Sequence, residues 1–538
     1  MKPVQYSVPL RKTASGEHID TRPLYIEEWL DSLPYIDFQK TSRLLYEATK
    51  ATNRQPVKPA VRLELTRLYD RPYRYYLDSQ ISTGAQHTLQ SIETMQAQIN
   101  VMKLIAGNLG YGCKLAMEES LKQKTLWRQS KPPLPALLMS LNYLSHALIF
   151  SFLEYSPTPK NVWRELNRIY DFARDLGQEN TIIVPIGGDP KKDATSISSA
   201  YKRIALASLV DPHHLPFGAI WEIFGQLGSW SDYAEIKALE KPARQSGYFV
   251  IDSESDSRPV PCAKFNIKTG HKKYSIIDTR ALGGLVQKHI DIHKSGQALD
   301  DSVHLSSYFA GSILAQMSKA WGLPPKRYFP RKTREGTLEL ARGLHAIYFH
   351  LNNKQEFISA NPPDDEHIVT DTDGFSGQMD ITPVQSYHTE QWNMVDQGAG
   401  GLALLKHDKP KNAVRVGDLI GFAPSLKGSE QRPQWSLGVI RWLMVRQNRV
   451  YKIGIQMIAA QIVPAAIRAL DGSFSDSQFQ RAFIIGDPDT SGPNTIITGK
   501  GLFINDRELE ISYQNKTFRA CTDSLIESSL NFEHFNVS

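Results

Sequence analysis

The hydrophobic period of this chain changes near residue 246, and that change limits what it can fold into more than any single motif does. From Arg22 to about Lys241, apolar residues recur three and four positions apart, as in DFQKTSRLLYEATKATN and RLELTRLYDRPYRYYL. That spacing lines one face of an α-helix. About eight helices are expected, with breaks at Pro56, the Pro132, Pro133 and Pro135 run, Pro157 with Pro159, and Gly187–Gly188–Asp189–Pro190. From Gly336 onward the runs are short, β-branched or aromatic, and cut by Gly, Pro and Asp: GTLELARGLHAIYFHL, WNMVDQ, GLALLK, DLIGFA, WSLGVIRWLMV and VYKIGIQMI. Several strands at this spacing predict a small barrel or sandwich. The 538 residues also exceed what one hydrophobic core serves, about 250–300 residues.

The expected fold class is therefore α+β multidomain. An all-α helical domain spans 22–245, and a mixed α/β connector spans 246–322. A six-stranded antiparallel β-barrel spans 323–470, with a β-rich extension over 471–538. The connector holds short β-prone runs in GYFVIDSESDSRPVPCAKFNIKTGHKKYSIID and helical patterns over Thr279–His293 and His304–Gly322. The polar, partly acidic 352–390 segment is expected to be a long loop.

Composition excludes several classes. Cys113, Cys262 and Cys521 are the only cysteines and lack CxxC spacing, so neither a disulfide framework nor a thiolate zinc site is expected. That usage fits a reducing cytoplasm. A net charge of +6 falls short of the dense basic surface that binds nucleic acid. The N-terminus lacks the apolar core of a secretion signal. Leu134–Tyr155 is the most apolar stretch, yet it carries Ser140, Asn142, Ser145, His146 and Glu154, so a buried helix is expected rather than membrane insertion.

Chemistry concentrates in two places. Lys326, Arg327, Arg331, Lys332 and Arg334 form a basic cluster with no acidic residue between 326 and 334. Some sixty residues later, WNMVDQGAGGLALL places Asp396, Gly398, Gly400 and Gly401 between two strands. Glycines at such a turn let backbone amides approach a ligand closely. Together these elements resemble the PilZ family, whose ligand motif is an RxxxR at the barrel entrance followed by D/N-x-S-x-x-G on a later turn. Here the first is Arg327-Tyr-Phe-Pro-Arg331, preceded by Lys326, and the second is Asp396-Gln-Gly398-Ala-Gly-Gly401, with glycine in the serine position. Gly438, Arg441, Trp442 and Gly454 continue the resemblance through the following strands.

The resemblance implies a bacterial cyclic di-GMP receptor rather than an enzyme. Lys326, Arg327, Arg331, Asp396, Gly398 and Gly401 would be its ligand site, with no metal and no cofactor beyond that ligand. The ligand would dock between the connector helix and the barrel, and the helical domain would pass the signal to a protein partner, in motility, pili or surface attachment. Arginine's planar fork suits both phosphate and the O6/N7 edge of guanine, a bidentate contact worth about 1–3 kcal/mol. Gly398 keeps open a scaffold of the same fold that binds no nucleotide. An enzyme with an unrecognised helical active site and a nucleic-acid binder are further alternatives. Trp392, Trp435 and Trp442 are expected in the barrel wall. His289 and His293 at i, i+4 lack a third metal ligand and predict a solvated face. His213–His214 predicts a loop role, and Gly492–Lys500 has the wrong spacing for a phosphate loop and predicts a turn.

Overall fold

A computed structural model describes residues 19–81, 92–122, 134–185, 189–191, 193–239, 246–265, 274–300, 302–306, 310–321, 332–355, 357, 387–411, 413–425, 433–446, 450–470, 478–486, 495–514, 516–529 and 531–538. The chain divides into two compact units, 1–326 and 327–538.

The first unit opens with α1 (Pro23–Asp31), α2 (Phe38–Arg54), α3 (Pro59–Tyr76), α4 (Ile92–Lys122), α5 (Leu134–Leu153), α6 (Val162–Asp175), α7 (Ile197–Leu209) and α8 (Ala219–Trp230). Local chemistry starts several of them. The Asp37 carboxylate accepts from the Lys40 amide at 2.9 Å and Ser196 Oγ from the Ser199 amide at 3.0 Å, so each satisfies an N–H that the helix cannot. The apolar helix α5 is long enough to span a bilayer, but its window is 83% buried inside the protein. Leu137, Leu141, Leu148 and Phe150 have no exposure, so its apolarity serves the core.

His146 on α5 is ringed by Tyr73, Phe150, Trp221 and Phe224, and its Nδ1 lies 3.0 Å from the Tyr73 hydroxyl. Burial pushes its pKa from the ordinary 6.5 down to about 3. The unfolded chain takes up this proton near 6.5 and the folded chain only near 3, so stability should fall as pH drops through that window. Urea unfolding at pH 7 and pH 4 should reveal the loss, and His146→Phe should flatten the slope.

Antiparallel strands β1 (Glu235–Ala238), β2 (Tyr248–Asp252), β3 (Val260–Pro261) and β4 (Tyr274–Asp278) follow in the order β1-β4-β2-β3, with α9 (Arg280–Lys294) and α10 (Ala310–Trp321) after them. This segment, expected as a mixed α/β connector over 246–322, packs against the helices of the first unit. Asp256 accepts from the amides of Asn161, Trp163 and Arg164 at the start of α6. Asn167 Nδ2 donates to the Asp252 carbonyl at 3.2 Å, and Trp321 Nε1 donates to the Leu206 carbonyl at 3.3 Å. A correction concerns His289. It is buried and stacked on Trp230 at 5.1 Å, because α9 turns that face inward.

The second unit contains β5 (Lys332–Thr333), β6 (Thr337–Arg342), α11 (Gly343–Leu351), β7 (Glu390–Gly398), β8 (Gly401–Lys406), β9 (Leu419–Pro424), β10 (Ser436–Arg446) and β11 (Val450–Ala459). It continues with β12 (Ile462–Ala469), β13 (Gln480–Ile485), β14 (Thr495–Thr498), β15 (Glu508–Tyr513), β16 (Lys516–Ser528) and β17 (Glu533–Val537). Antiparallel pairing closes β6-β7-β8-β11-β10-β9 into one ring and β12-β13-β14-β17-β16-β15 into another. Closure satisfies the backbone groups that an open edge would leave unpaired. With the strands of each ring numbered one to six, both rings run 1-2-3-6-5-4, so the second barrel repeats the connectivity of the first. The β-rich extension is thus a complete barrel that begins at Ile462, inside the span expected for the first one.

The strand-like reading of GTLELARGLHAIYFHL holds only to Arg342. From Gly343, at φ +82°, the chain becomes helical, because Leu344, Ile347, Tyr348 and Leu351 share one face at helical spacing. Ile347 and Tyr348 then join Leu419 and Val439 of the first barrel with Phe483, Ile497 and Phe532 of the second in one core. Trp392 and Trp435 are buried. Trp442 lies over Gly454, where a Cβ would come within 1.9 Å of its Nε1.

Candidate functional site

β7 and β8 form a hairpin in which Gly398 pairs with Gly401, leaving Ala399 and Gly400 as a two-residue loop. Gly401 is required by close approach, since a Cβ there would lie 2.1 Å from the Ile455 carbonyl oxygen. Its Cα partner on β11 is Gln456, and the Met457 amide donates to the Gly400 carbonyl at 3.2 Å. A bulge falls just before the carboxylate: Met394 pairs with Leu404 and Asp396 with Ala403, so Val395 is the extra residue. Such a bulge re-aims neighbouring side chains and tightens the strand twist.

On the other edge of β7, the short strand β5 places Lys332 opposite Gln397 and Thr333 opposite Asp396. Both β5 residues are exposed. Of the predicted site residues, Asp396, Gly398 and Gly401 share this one hairpin, whereas Lys326, Arg327 and Arg331 lie outside the described residues. Arg331 is the residue immediately before Lys332 in sequence.

Sequence reasoning missed Gln456 as a neighbour of the hairpin, and it named Arg441 only as part of a strand pattern. Arg441 Nε donates to Gln456 Oε1 at 2.7 Å. That contact lies across the β10–β11 hairpin, whereas no local spacing signals that Gln456 faces Gly401, because only the pairing of β11 with the distant β8 brings them together.

Clefts also lie elsewhere among the described residues. One of about 760 Å³ is lined by His350, Lys354, Gln434, Trp435 and Gln461. Another, of about 730 Å³ on the first unit, is lined by Arg174, Lys202, Asp232, Glu235 and Lys237. Its cations are paired: Lys202 with Asp232 at 3.0 Å, Lys237 with Glu235 at 2.7 Å and Arg174 with Asp171 at 2.7 Å. Among the described residues no group of His, Cys, Asp and Glu could hold a metal ion.

Comparison with known proteins connects this geometry to a family. The model of the N-terminal domain of the cyclic-di-GMP receptor FimW matches residues 25–242, and the model of its middle PilZ domain matches residues 248–370 and 367–464. A protein of Pseudomonas aeruginosa described as cyclic-di-GMP receptor FimW is 21% identical, over 98% of this chain and 92% of its own length. The middle-domain match begins in the four-stranded sheet and runs through the first barrel, so it spans both halves of the motif and the hairpin just described. Behind its helical N-terminal region, the chain therefore carries a domain of the PilZ family within residues 248–464, with a closed six-stranded barrel.

Proposed function

We propose that this protein is a cyclic di-GMP receptor that passes ligand binding to a protein partner, and that it works as a signalling protein rather than an enzyme. The observation that carries the reading is the β5–β7 register: the strand directly following Arg331 runs opposite Gln397 and Asp396. Two arginines four apart would meet the phosphodiesters and the O6/N7 edges of the guanines, and Asp396 would accept from the N1–H and N2–H₂ edge. Gly400, at the tip of the two-residue loop, leaves its backbone unobstructed, since among the described residues nothing lies within 4 Å of where its side chain would begin. Glycine at 398 removes one hydroxyl contact, worth about 0.5–1.5 kcal/mol, so affinity is expected to be up to about tenfold below that of a serine-bearing site.

The relative described as a cyclic-di-GMP receptor, similar along nearly the whole chain, supports the same ligand. We assign the output to the helical unit, acting on a partner in motility, pilus or surface-attachment control. The three cysteines are unpaired in the structure, which suits a cytoplasmic setting.

Calorimetric titration with cyclic di-GMP tests the site. Arg327→Ala and Arg331→Ala should each weaken binding about tenfold or more, the loss of one bidentate contact, with Asp396→Ala also weaker. Equal affinities across the series would remove the proposed site. No heat at tens of micromolar ligand from the wild type would leave the scaffold reading.

A further inference from the structure

The C-terminal barrel copies the ring order of the first barrel but not its arginine arm. Only Ala460 and Gln461 separate β11 from β12, and the preceding stretch VYKIGIQMIAAQ contains no arginine. Its contact with the first barrel suggests a different task. On β10, Ile440 pairs with Ile455 and Trp442 with Gly454, so Arg441 is an extra, bulged residue. Bulges re-aim side chains, and this one directs a guanidinium to two places. Nε donates to Gln456 Oε1 at 2.7 Å, while Nη1 and Nη2 donate to Glu527 Oε1 and Oε2 on β16 at 2.5 and 2.7 Å. Gln456 in turn is the Cα partner of Gly401. A contiguous path therefore runs from the second barrel to the corner that holds Gly398 and Gly401.

We infer that Glu527 is a positioning residue for the glycine hairpin: it fixes the plane of Arg441, which holds Gln456 beneath Gly401, so the second barrel sets the ligand affinity of the first. This rests on the receptor reading above. An ordinary surface pair would be too weak for the task. This one is a bidentate fork whose side chains keep only 36% and 23% of their exposure, and such forks fix orientation as well as charge.

The test uses the full chain, titrated with cyclic di-GMP, together with amide hydrogen exchange of residues 398–401 measured without ligand. Glu527→Gln is expected to weaken binding about tenfold, within the usual range of coupling between sites, and to speed hairpin exchange. Arg441→Lys should do the same, and the double variant should be no weaker than either single one. Asn531→Ala serves as the structural control. It removes another bond between the barrels, Asn531 Nδ2 to Asp418 Oδ1 at 3.2 Å, and should lower stability while leaving affinity and hairpin exchange unchanged. Glu527→Gln with wild-type affinity, or Asn531→Ala with an equal loss, overturns the positioning role and leaves the receptor reading intact. A wild type that gives no heat overturns both.

Discussion

Gly401→Ala is expected to destabilise the second unit by about 3 kcal/mol, at the upper end of overpacking costs, and to abolish measurable binding of cyclic di-GMP. The new methyl carbon would sit 2.1 Å from the Ile455 carbonyl oxygen. The obstacle is backbone rather than a side chain that can rotate away, so β8 and β11 must separate. That separation breaks the ring at the position where Gln456 faces the hairpin. Gly400→Ala is the matched comparison, because nothing lies within 4 Å of its added carbon. Urea denaturation of the two variants beside wild type should give a clear loss for Gly401→Ala and almost none for Gly400→Ala. Equal midpoints would contradict the packing described for this corner.

Glu165→Ala should cost the helical unit about 3–5 kcal/mol, the usual result of removing one member of a buried ion pair. Lys114 on α4 and Glu165 on α6 meet with side-chain exposures of 2% and 5%. Burial pulls the Lys114 pKa down, and the Glu165 carboxylate opposes that pull. Without the carboxylate, the buried ammonium loses the partner that offsets its desolvation, and whether it stays charged or gives up its proton the fold is destabilised. The double variant Lys114→Met with Glu165→Leu should recover most of the loss, because the desolvation cost disappears with both charges. A double variant as unstable as Glu165→Ala would mean that packing volume, rather than charge, sets the cost.

Helices were legible where one face of the segment is apolar, as in α2 and α6, because that pattern is written into consecutive residues. α11 was not, since strand β6 runs straight into it and Gly343 at φ +82° makes the change without any turn-forming cluster. The second barrel was only partly legible. IVPAAIRA looks like a continuation of the preceding strands, and its membership in another ring depends on Ile467 pairing with Ile511 far along the chain. At the site, Asp396, Gly398 and Gly401 could be found from local turn chemistry, whereas Gln456 and Glu527 reach it only through closure and docking of the barrels.

Lys332 and Thr333 have paired neighbours on the β7 side alone among the described residues. They can therefore peel from the ring like the loose end of a zipper, at a cost of roughly one or two backbone hydrogen bonds, ~1–3 kcal/mol, while every closed strand keeps both partners. If the proposed dinucleotide docks at this rim, that small reversible fraying would be enough to admit it without disturbing the closed strands beneath.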